Sequence, residues 1–181
     1  MNKRLFDLIS SLLGLLLFSP IIILIFIISS LDTRSSGWFI QNRIGQYGQI
    51  FKIYKIKTLQ PKTKNISSWG RFLRKSKLDE LPQLFNILIG DMSFVGPRPD
   101  IPGYYDLLQG EERKILNLKP GLTSEASIKY KDEEELLARQ KDPLEYNDHI
   151  IFPDKVKMNL KYYYQRSFWG DLKIICKTIF G

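Results

Sequence analysis

Two adjacent carboxylates are the residues of this sequence best suited to chemistry. Asp79 and Glu80 lie in the run Leu78–Leu84, just ahead of Pro82. Proline fits the first turn of a helix because its missing N–H would have no partner there, so both acids are predicted at or just before a helix N-terminus. Acids at that place often only cap the helix and complement its dipole. The same place also binds phosphate or a hard cation, and the pair is therefore a candidate for chemistry as well as stability.

Basic residues surround the acidic pair in the sequence. A helix is predicted over Ser67–Lys77, where Arg74 and Lys75 stand near the acids and aromatic residues follow helical spacing. A basic helix with an aromatic face is typical of a membrane surface, and a helix packed on the core is the alternative. Lys55, on a strand predicted over Gln49–Lys57, is either a phosphate ligand or a guard of a solvated sheet edge. No nucleic-acid-binding signature accompanies this charge.

A second candidate site is the loop Asp91–Pro99, in which Arg98 stands between Pro97 and Pro99. Proline fixes its own φ, and the two prolines therefore stiffen the backbone and aim the guanidinium. An aimed arginine suits bidentate recognition of a phosphate or a carboxylate. The alternative is a surface arginine in a proline-rich turn.

These polar motifs follow an apolar segment at the start of the chain. Residues 8–31 contain no charge, and they exceed the roughly 20 residues that a helix needs to cross a bilayer. Ser19-Pro20 near the middle predicts a kink or a reversal, because proline removes a helical hydrogen bond. Two topologies are therefore open: a kinked helix that spans the membrane, and a re-entrant helix that leaves on the side it entered.

The charge on both sides of this segment bears on its topology. Lys3 and Arg4 precede the segment, and residues 32–77 carry eleven basic residues against Asp32 alone. Positive charge resists translocation, so it favours keeping both ends of the segment in the cytoplasm. The charge pattern supports the re-entrant form without deciding between the two topologies.

Composition narrows the class of protein. The chain has 181 residues, a net charge of +8, one cysteine and one histidine. One cysteine excludes a disulfide-stapled fold and a multi-cysteine zinc site, and one histidine excludes catalysis by a histidine pair. Length and patterning divide the chain into an apolar membrane segment, residues 1–31, and one further domain, residues 32–181.

Local patterns predict the elements that must position the candidate residues. Residues Trp38–Ile44 and Gln49–Lys57 read as two strands joined by a hairpin turn. Residues 172–179 form an apolar helical stripe opposite two lysines, a pattern typical of a helix at a membrane interface. Three more helices are predicted in the second half, over 103–117, 132–141 and 154–166.

Nine short motifs are spread along this chain: Lys3-Arg4-x-Phe6-Asp7, Ser19-Pro20, Gln41-x-Arg43-x-Gly45, Phe51-Lys52-x-Tyr54-Lys55, Leu73-Arg74-Lys75, Leu78-Asp79-Glu80-Leu81-Pro82-Gln83-Leu84, Asp91-Met92-Ser93, Gly96-Pro97-Arg98-Pro99 and Lys119-Pro120-Gly121-Leu122-Thr123. Taken together, these motifs closely resemble those of the bacterial sugar transferases, the small monotopic phosphoglycosyl transferases that begin membrane-linked glycan assembly. The resemblance runs nearly from end to end and keeps the family's order, so the set is far more specific than any single motif.

The resemblance implies a fold, a reaction and a location. The fold is α+β and predominantly helical, with an N-terminal re-entrant membrane helix broken at Ser19-Pro20, a short β-hairpin and amphipathic interfacial helices. The reaction transfers a phosphosugar from a UDP-sugar to undecaprenyl phosphate, with Mg²⁺ as cofactor and UMP as leaving product. The place is the bacterial inner membrane, with the catalytic domain seated on the anionic lipid of the cytoplasmic face. Glycosyltransferases that act later in glycan assembly are implied partners, and nucleic acid is not.

The resemblance also implies roles for single residues. Asp79 is the nucleophile that forms a phosphosugar-aspartyl intermediate, Glu80 assists it, and both are expected to hold Mg²⁺. Such an attack on an anionic phosphorus requires that the local negative charge be neutralised. The substrates are expected to bind at Lys55, Arg74, Lys75, Pro97, Arg98 and Pro99.

A second hypothesis is a catalytically inactive, membrane-anchored lipid-binding or adaptor module. It predicts lipid association without turnover of any nucleotide sugar. The presence of both acids beside Arg74, together with Arg98, favours the enzyme. The donor sugar stays open, because Ser124–Ser127 replaces the run that commonly follows the Lys119–Thr123 motif in the family.

Overall fold

The computed structural model describes residues 3–181, so the first two residues of the predicted membrane segment lie outside the described residues. It is 61% helical with one short antiparallel hairpin, which confirms the predicted α+β, predominantly helical class. The α-helices are α1 (Lys3–Thr33), α2 (Ser68–Ser76), α3 (Gln83–Ile89), α4 (Glu125–Lys129), α5 (Glu133–Ala138), α6 (Pro143–Tyr146), α7 (Phe152–Gln165) and α8 (Phe168–Phe180). The strands are β1 (Trp38–Ile44), β2 (Ile50–Ile56), β3 (Ser93–Val95) and β4 (Gly121–Thr123), paired as β1–β2 and β3–β4.

The described chain divides into two compact units. The first contains the described residues up to Arg43 together with Ile50–Met92, and the second contains Ile44–Gln49 together with Ser93–Gly181. This division follows compactness. The predicted division after residue 31 separates a membrane segment from the rest of the chain, which is a different criterion, and it stays a prediction.

Helix α1 of the first unit buries polar residues and exposes apolar ones, the reverse of the usual pattern for a protein in water. Its buried residues include Asp7, Ser11, Ser29 and Thr33, whereas Leu17 is 70% exposed. Within residues 3–181 it is the one helix whose length and composition would let it cross a membrane. Burying polar groups against protein while exposing apolar ones suits a lipid surrounding, because hydrocarbon offers polar groups no hydrogen-bond partner.

The helical backbone of α1 continues through Ser19 and Pro20. The Ser19 hydroxyl donates to the carbonyl of Leu16 over 3.1 Å, one turn earlier in the same helix. The predicted break is therefore not an interruption of the helix. A reversal of direction at this pair stays a prediction.

The core of the first unit joins α1 to the hairpin and to the two helices that follow it. Ile25 of α1, Ile56 of β2 and Leu73 of α2 form one buried apolar cluster. Gly14 of α1 packs closely on α3, since a Cβ there would lie 3.2 Å from a methyl group of Leu84. This packing fixes α3, and with it the turn that precedes α3, against α1.

Asn86 ties α3 to strand β2. Its side-chain Nδ2–H donates to the carbonyl of Lys52 over 2.7 Å, and its Oδ1 accepts from the N–H of Tyr54 over 3.1 Å. The residue is fully buried. A buried amide with both ends bonded sets the register between strand and helix, because leaving either end unpaired would cost about 1–3 kcal/mol.

The second unit is built around a short parallel pair of strands and a helical core. In the pair, Ser93 lies opposite Gly121 and Val95 lies opposite Thr123. Thr123 also shares a hydrogen bond with Thr178 of α8. The buried apolar cluster consists of Ile44, Tyr105, Leu108, Ile115, Leu116 and Val156.

Helix α8 packs through one side only. Ile174 is buried, whereas Trp169, Ile179 and Phe180 are exposed by 73%, 67% and 85%. The predicted stripe of Leu172, Ile175, Cys176 and Ile179 is half-buried to exposed, and the buried Ile174 lies outside it. An aromatic and aliphatic surface of this kind is typical of interfacial helices, and membrane seating of α8 stays a prediction.

The second half differs most from the sequence-based expectation. The predicted helix over 103–117 is wrong: the segment forms two separate 3₁₀ turns, Tyr105–Leu107 and Glu112–Asn117. Gly110 between them has φ 55°, and Leu108 is extended, so a continuous α-helix cannot form. The β3–β4 pair was not predicted, because three-residue strands carry too few residues for a period to show.

Candidate active site

The two acids lie in a tight turn between α2 and α3. After α2, Lys77 adopts a left-handed backbone conformation with φ 57°, and its N–H bonds to the carbonyl of Arg74. A residue with a side chain loses about 1–2 kcal/mol in that conformation. The chain then forms a 3₁₀ turn over Leu78–Glu80 and enters α3 after Pro82. Asp79 and Glu80 therefore sit just before the helix start, where the sequence predicted them.

Asp79 is a buried carboxylate with an unsatisfied oxygen. The residue is 8% exposed, and its Oδ1 is buried without a hydrogen bond. Burial is the main cause that raises the pKa of Asp79 from 3.8 to about 6, and the negative charge of Glu80 adds to it. At pH 7 about nine-tenths of such a group is ionised, so the turn holds a poorly solvated and therefore reactive anion.

Glu80 is held by a buried ion pair. The Nζ of Lys55 lies 2.9 Å from Glu80 Oε1, and the two side chains are only 16% and 9% exposed. Breaking such a pair from one side leaves an uncompensated buried charge, which costs about 3–5 kcal/mol. Lys55 therefore places a positive charge beside Glu80 and fixes where its carboxylate lies.

Three cations counter the raised pKa of Asp79, in the order Lys55, Lys77 and Arg74. Arg74 is held in place by Thr58, whose hydroxyl oxygen accepts from Arg74 Nε over 2.9 Å. Lys75 is exposed to solvent. Lys77 lies beside the acids in the sequence, and it is the cation of this group that was not among the predicted substrate-binding residues.

The motif Gly96–Pro99 is positioned by the Lys119–Thr123 motif of the second unit. The N–H of Gly96 donates to the carbonyl of Thr123 over 3.1 Å, and the N–H of Gly121 donates to the carbonyl of Pro97 over 2.8 Å. A Cβ on Gly121 would lie 2.1 Å from Gly96 N, so only glycine allows this approach. Two motifs 25 residues apart in sequence thus form one backbone scaffold.

That scaffold presents Arg98 at a pocket of the second unit. Pro97 and Pro99 are buried and Arg98 is partly exposed. All three line the pocket together with Tyr105. Of the predicted site residues, the structure brings Lys55, Arg74, Asp79 and Glu80 together in the first unit. It places Pro97, Arg98 and Pro99 together in the second.

Asp79 and Glu80 could supply part of the coordination shell of a magnesium ion. No group of three or more His, Cys, Asp or Glu side chains that could hold a metal occurs within residues 3–181. A complete protein cage for a metal is therefore missing from the described chain. Mg²⁺ is commonly bound through one or two carboxylates with water and substrate phosphates, and Asp79 with its unbonded buried Oδ1 offers one such ligand beside Glu80.

Comparison with known proteins gives a family match over the whole chain. Residues 1–181 match the family model described as bacterial sugar transferase. The chain is 33% identical to an uncharacterized sugar transferase, EpsL, of Bacillus subtilis (strain 168), over 98% of this chain and 85% of that protein. It is 36% identical to the UDP-glucose:undecaprenyl-phosphate glucose-1-phosphate transferase of Klebsiella pneumoniae, over 98% of this chain.

A third relative is named for a different sugar from that of the Klebsiella protein. The chain is 29% identical to the UDP-N-acetylgalactosamine-undecaprenyl-phosphate N-acetylgalactosaminephosphotransferase of Aeromonas hydrophila, over 98% of this chain. The chain spans only 39% of the length of the Klebsiella protein and 42% of the Aeromonas protein. The similarity therefore covers one part of each of those two relatives and nearly all of this chain.

Proposed function

Since the chain belongs to the bacterial sugar transferase family, we propose that it transfers a phosphosugar from a UDP-sugar to undecaprenyl phosphate and releases UMP. Relatives named for this reaction with glucose and with N-acetylgalactosamine support the class of donor and the acceptor. The product, a polyprenyl diphosphate sugar, would start membrane-linked glycan assembly. The reaction would take place on the cytoplasmic face of the bacterial inner membrane, where later glycosyltransferases would use the product.

The observation that carries this proposal is the state of Asp79. Its carboxylate is buried, unbonded at Oδ1 and has a pKa raised to about 6, while three cations act on it from Lys55, Lys77 and Arg74. A carboxylate that only caps a helix would be hydrogen-bonded to backbone N–H groups. An unbonded anion among cations is instead arranged to meet an electrophile that carries negative charge.

The first chemical step follows from that arrangement. An oxygen of the Asp79 carboxylate attacks the sugar-bearing phosphorus of the donor, and the bond from that phosphorus to the UMP oxygen breaks. UMP leaves with the bonding electrons, and the phosphosugar remains as an ester of Asp79. Arg74, Lys55 and Lys77 reduce the repulsion between the attacking carboxylate and the anionic phosphate.

The second step returns the enzyme to its starting state. A phosphate oxygen of undecaprenyl phosphate attacks the same phosphorus, the bond to Asp79 breaks, and the carboxylate is restored. A covalent intermediate lets a soluble donor and a lipid acceptor use the same group in turn. Glu80, held by Lys55, keeps a second carboxylate beside the reacting one, where it can accept a proton from the attacking phosphate if that phosphate is protonated.

A magnesium ion is part of this proposal, with Asp79 and Glu80 as its protein ligands. When bound, it supplies positive charge that stabilises the phosphate oxygens during transfer. The chain's own contribution is the pair of adjacent carboxylates, one of them with a buried oxygen that no described residue bonds. We assign Arg98 to the phosphate or uridine of the donor and Lys75 to substrate charge from the family motifs alone.

The decisive experiment is a donor screen. The full chain in lipid nanodiscs would be incubated with undecaprenyl phosphate, Mg²⁺ and single UDP-sugars, and UMP would be measured. We expect UMP from at least one donor and, without acceptor, a phosphosugar adduct on the peptide that contains Asp79. Vesicle binding without UMP from any donor would support the inactive adaptor instead.

The topology is proposed to be re-entrant, because both ends of α1 contact the same unit. Near the start of α1, the guanidinium of Arg4 donates to the carbonyls of Ile87 and Leu88 over 2.6 and 2.7 Å. Near its end, Ser29 Oγ accepts from Trp69 Nε1 over 2.9 Å. A helix that crossed the bilayer would hold its ends about 30 Å apart on opposite faces. The rest of the first unit could not then contact both ends of α1.

Cysteine labelling tests this topology. In a Cys176→Ser background, Lys3→Cys and Ser36→Cys place single thiols on the two flanks of α1. We expect a membrane-impermeant maleimide to label neither thiol in intact spheroplasts and both in inverted vesicles, because both flanks stay in the cytoplasm. Labelling of the two thiols from opposite sides of the membrane would establish a spanning helix.

A further inference from the structure

Gln83 is a buried amide that the fold leaves unused. The residue is 1% exposed, and its Nε2 is buried and makes no hydrogen bond. An unpaired buried donor destabilises the folded state, and native proteins keep few such groups without a reason.

The fold is able to satisfy an amide on this same helix. Asn86, one turn later in α3, is equally buried and bonds through both ends of its amide to the backbone of β2. The unpaired state of Gln83 is therefore a property of its own position. At that position no described residue accepts a hydrogen bond from Gln83 Nε2.

The position of Gln83 relates it to the acids. From Leu78 to Gln83 the backbone is right-handed helical, with N–H groups bonded to carbonyls three residues earlier. In such 3₁₀ geometry, side chains three apart align on one side. Gln83 thus follows Glu80 on the same side of the turn, one turn beyond Asp79 and Glu80.

The unpaired atoms of this turn are complementary in chemistry. Asp79 Oδ1 is an acceptor and nucleophile, and Gln83 Nε2 is a donor; both are buried and neither is bonded. A phosphoryl group offers an electrophilic phosphorus to the first and a non-bridging oxygen to the second. A neutral amide also adds no charge to the Lys55–Glu80 pair.

From these observations we propose that Gln83 is a substrate-contacting catalytic residue, whose Nε2–H donates a hydrogen bond to a phosphoryl oxygen of the reacting phosphate. This inference rests on the proposed function and deepens it. The phosphoryl group has two sources, the phosphosugar of the donor and the phosphate of the lipid acceptor. The hydrogen bond holds that oxygen while the phosphorus is attacked and bears part of the charge that builds up on it.

The test replaces the amide without changing the size of the side chain. Gln83→Met removes the donor and keeps an unbranched chain of similar length, and it also removes an unsatisfied buried polar group. We expect unchanged or higher thermal stability, together with a roughly 10²-fold slower reaction per folded molecule. Gln83→Glu should be slower still, because its carboxylate repels the phosphoryl oxygen.

Two half-reactions separate the two sources of phosphate. The first is adduct formation and UMP release from the donor without acceptor. The second is transfer from preformed, desalted adduct to undecaprenyl phosphate. Slowing of the first assigns the contact to the phosphosugar, and slowing confined to the second assigns it to the acceptor phosphate.

Asn86→Leu is the matched control for a structural amide. It removes hydrogen bonds that exist in the folded state, so we expect it to lower the melting temperature, unlike Gln83→Met. If Gln83→Met reacts within about twofold of the unaltered protein in both half-reactions, or loses activity only in proportion to its folded fraction, the inference is overturned while the proposed function stands. Absence of UMP release by the unaltered protein would overturn the proposed function itself.

Discussion

Asp79→Asn is expected to lower UMP release by about 10⁴-fold or more, because it removes the proposed nucleophile while keeping the shape of the side chain. The amide has no negative charge with which to attack phosphorus. The measurement is a single-turnover assay of UMP with the best donor, and an intact-mass search for the phosphosugar adduct. Neither UMP nor adduct should appear on the time scale of the unaltered protein.

Asp154→Asn is the matched control for that loss. Asp154 is an acid of α7 that pairs with Lys129 over 2.6 Å and accepts from the hydroxyl of Tyr130 over 2.8 Å. The same chemical change there should leave the rate of UMP release close to that of the unaltered protein. Full UMP release by Asp79→Asn would reject Asp79 as nucleophile and require another group to attack phosphorus.

The same substitution should make the folded protein more stable at neutral pH. The pKa of Asp79 is raised from 3.8 to about 6, mainly by burial, and this difference corresponds to about 3 kcal/mol of unfavourable ionisation in the folded state. Asparagine carries no charge to desolvate. We therefore expect Asp79→Asn to raise the free energy of unfolding by up to about 3 kcal/mol above pH 7.

The pH dependence of that gain has a definite sign. Between pH 3.8 and about 6 the folded state binds the Asp79 proton more tightly than the unfolded state does. Protonated Asp79 therefore contributes fully to the free energy of unfolding below pH 3.8. This contribution is lost as the pH rises through about 6. The stability difference between Asp79→Asn and the unaltered protein should be near zero at acid pH and grow to its full value above pH 7.

Denaturant unfolding of both proteins across this pH range measures the difference. Asp154→Asn again serves as control, with the opposite expectation, since the hydrogen bond from Lys129 lowers the pKa of Asp154. That carboxylate stabilises the folded state at neutral pH, and its removal should weaken the protein. An unchanged or lowered stability of Asp79→Asn above pH 7 would mean that Asp79 is not strained by burial.

Asp79, unlike Asp154, lies in a turn that contains several energetically unfavourable features. Asp79 and Gln83 leave polar atoms buried without partners, and Lys77 adopts a left-handed conformation beside them. These three unfavourable features lie within seven residues of one turn. The Asn86 amide of the first unit, by contrast, is bonded at both ends. Local cost concentrated at one turn is what a site kept ready for a charged ligand requires.

Features that depend on neighbouring residues in the chain can be predicted from the sequence alone. The long uncharged segment, the hairpin over residues 38–56, helix α2 and the acids ahead of Pro82 all follow from periods and caps spanning a few residues. The order of the motifs was likewise enough for the family. Each of these features is local, since backbone hydrogen bonds and turn preferences reach only three or four residues.

Properties that depend on partners far along the chain required the fold. The pairing of Lys55 with Glu80, the approach of Gly96 to Gly121 and the inward face of α1 join residues that are tens of positions apart. The pKa of Asp79 belongs to this group as well, because burial is its main cause and burial is set by packing. The sequence by itself thus determines which residues are candidates for chemistry. Desolvation and long-range packing determine which of these candidates are made reactive.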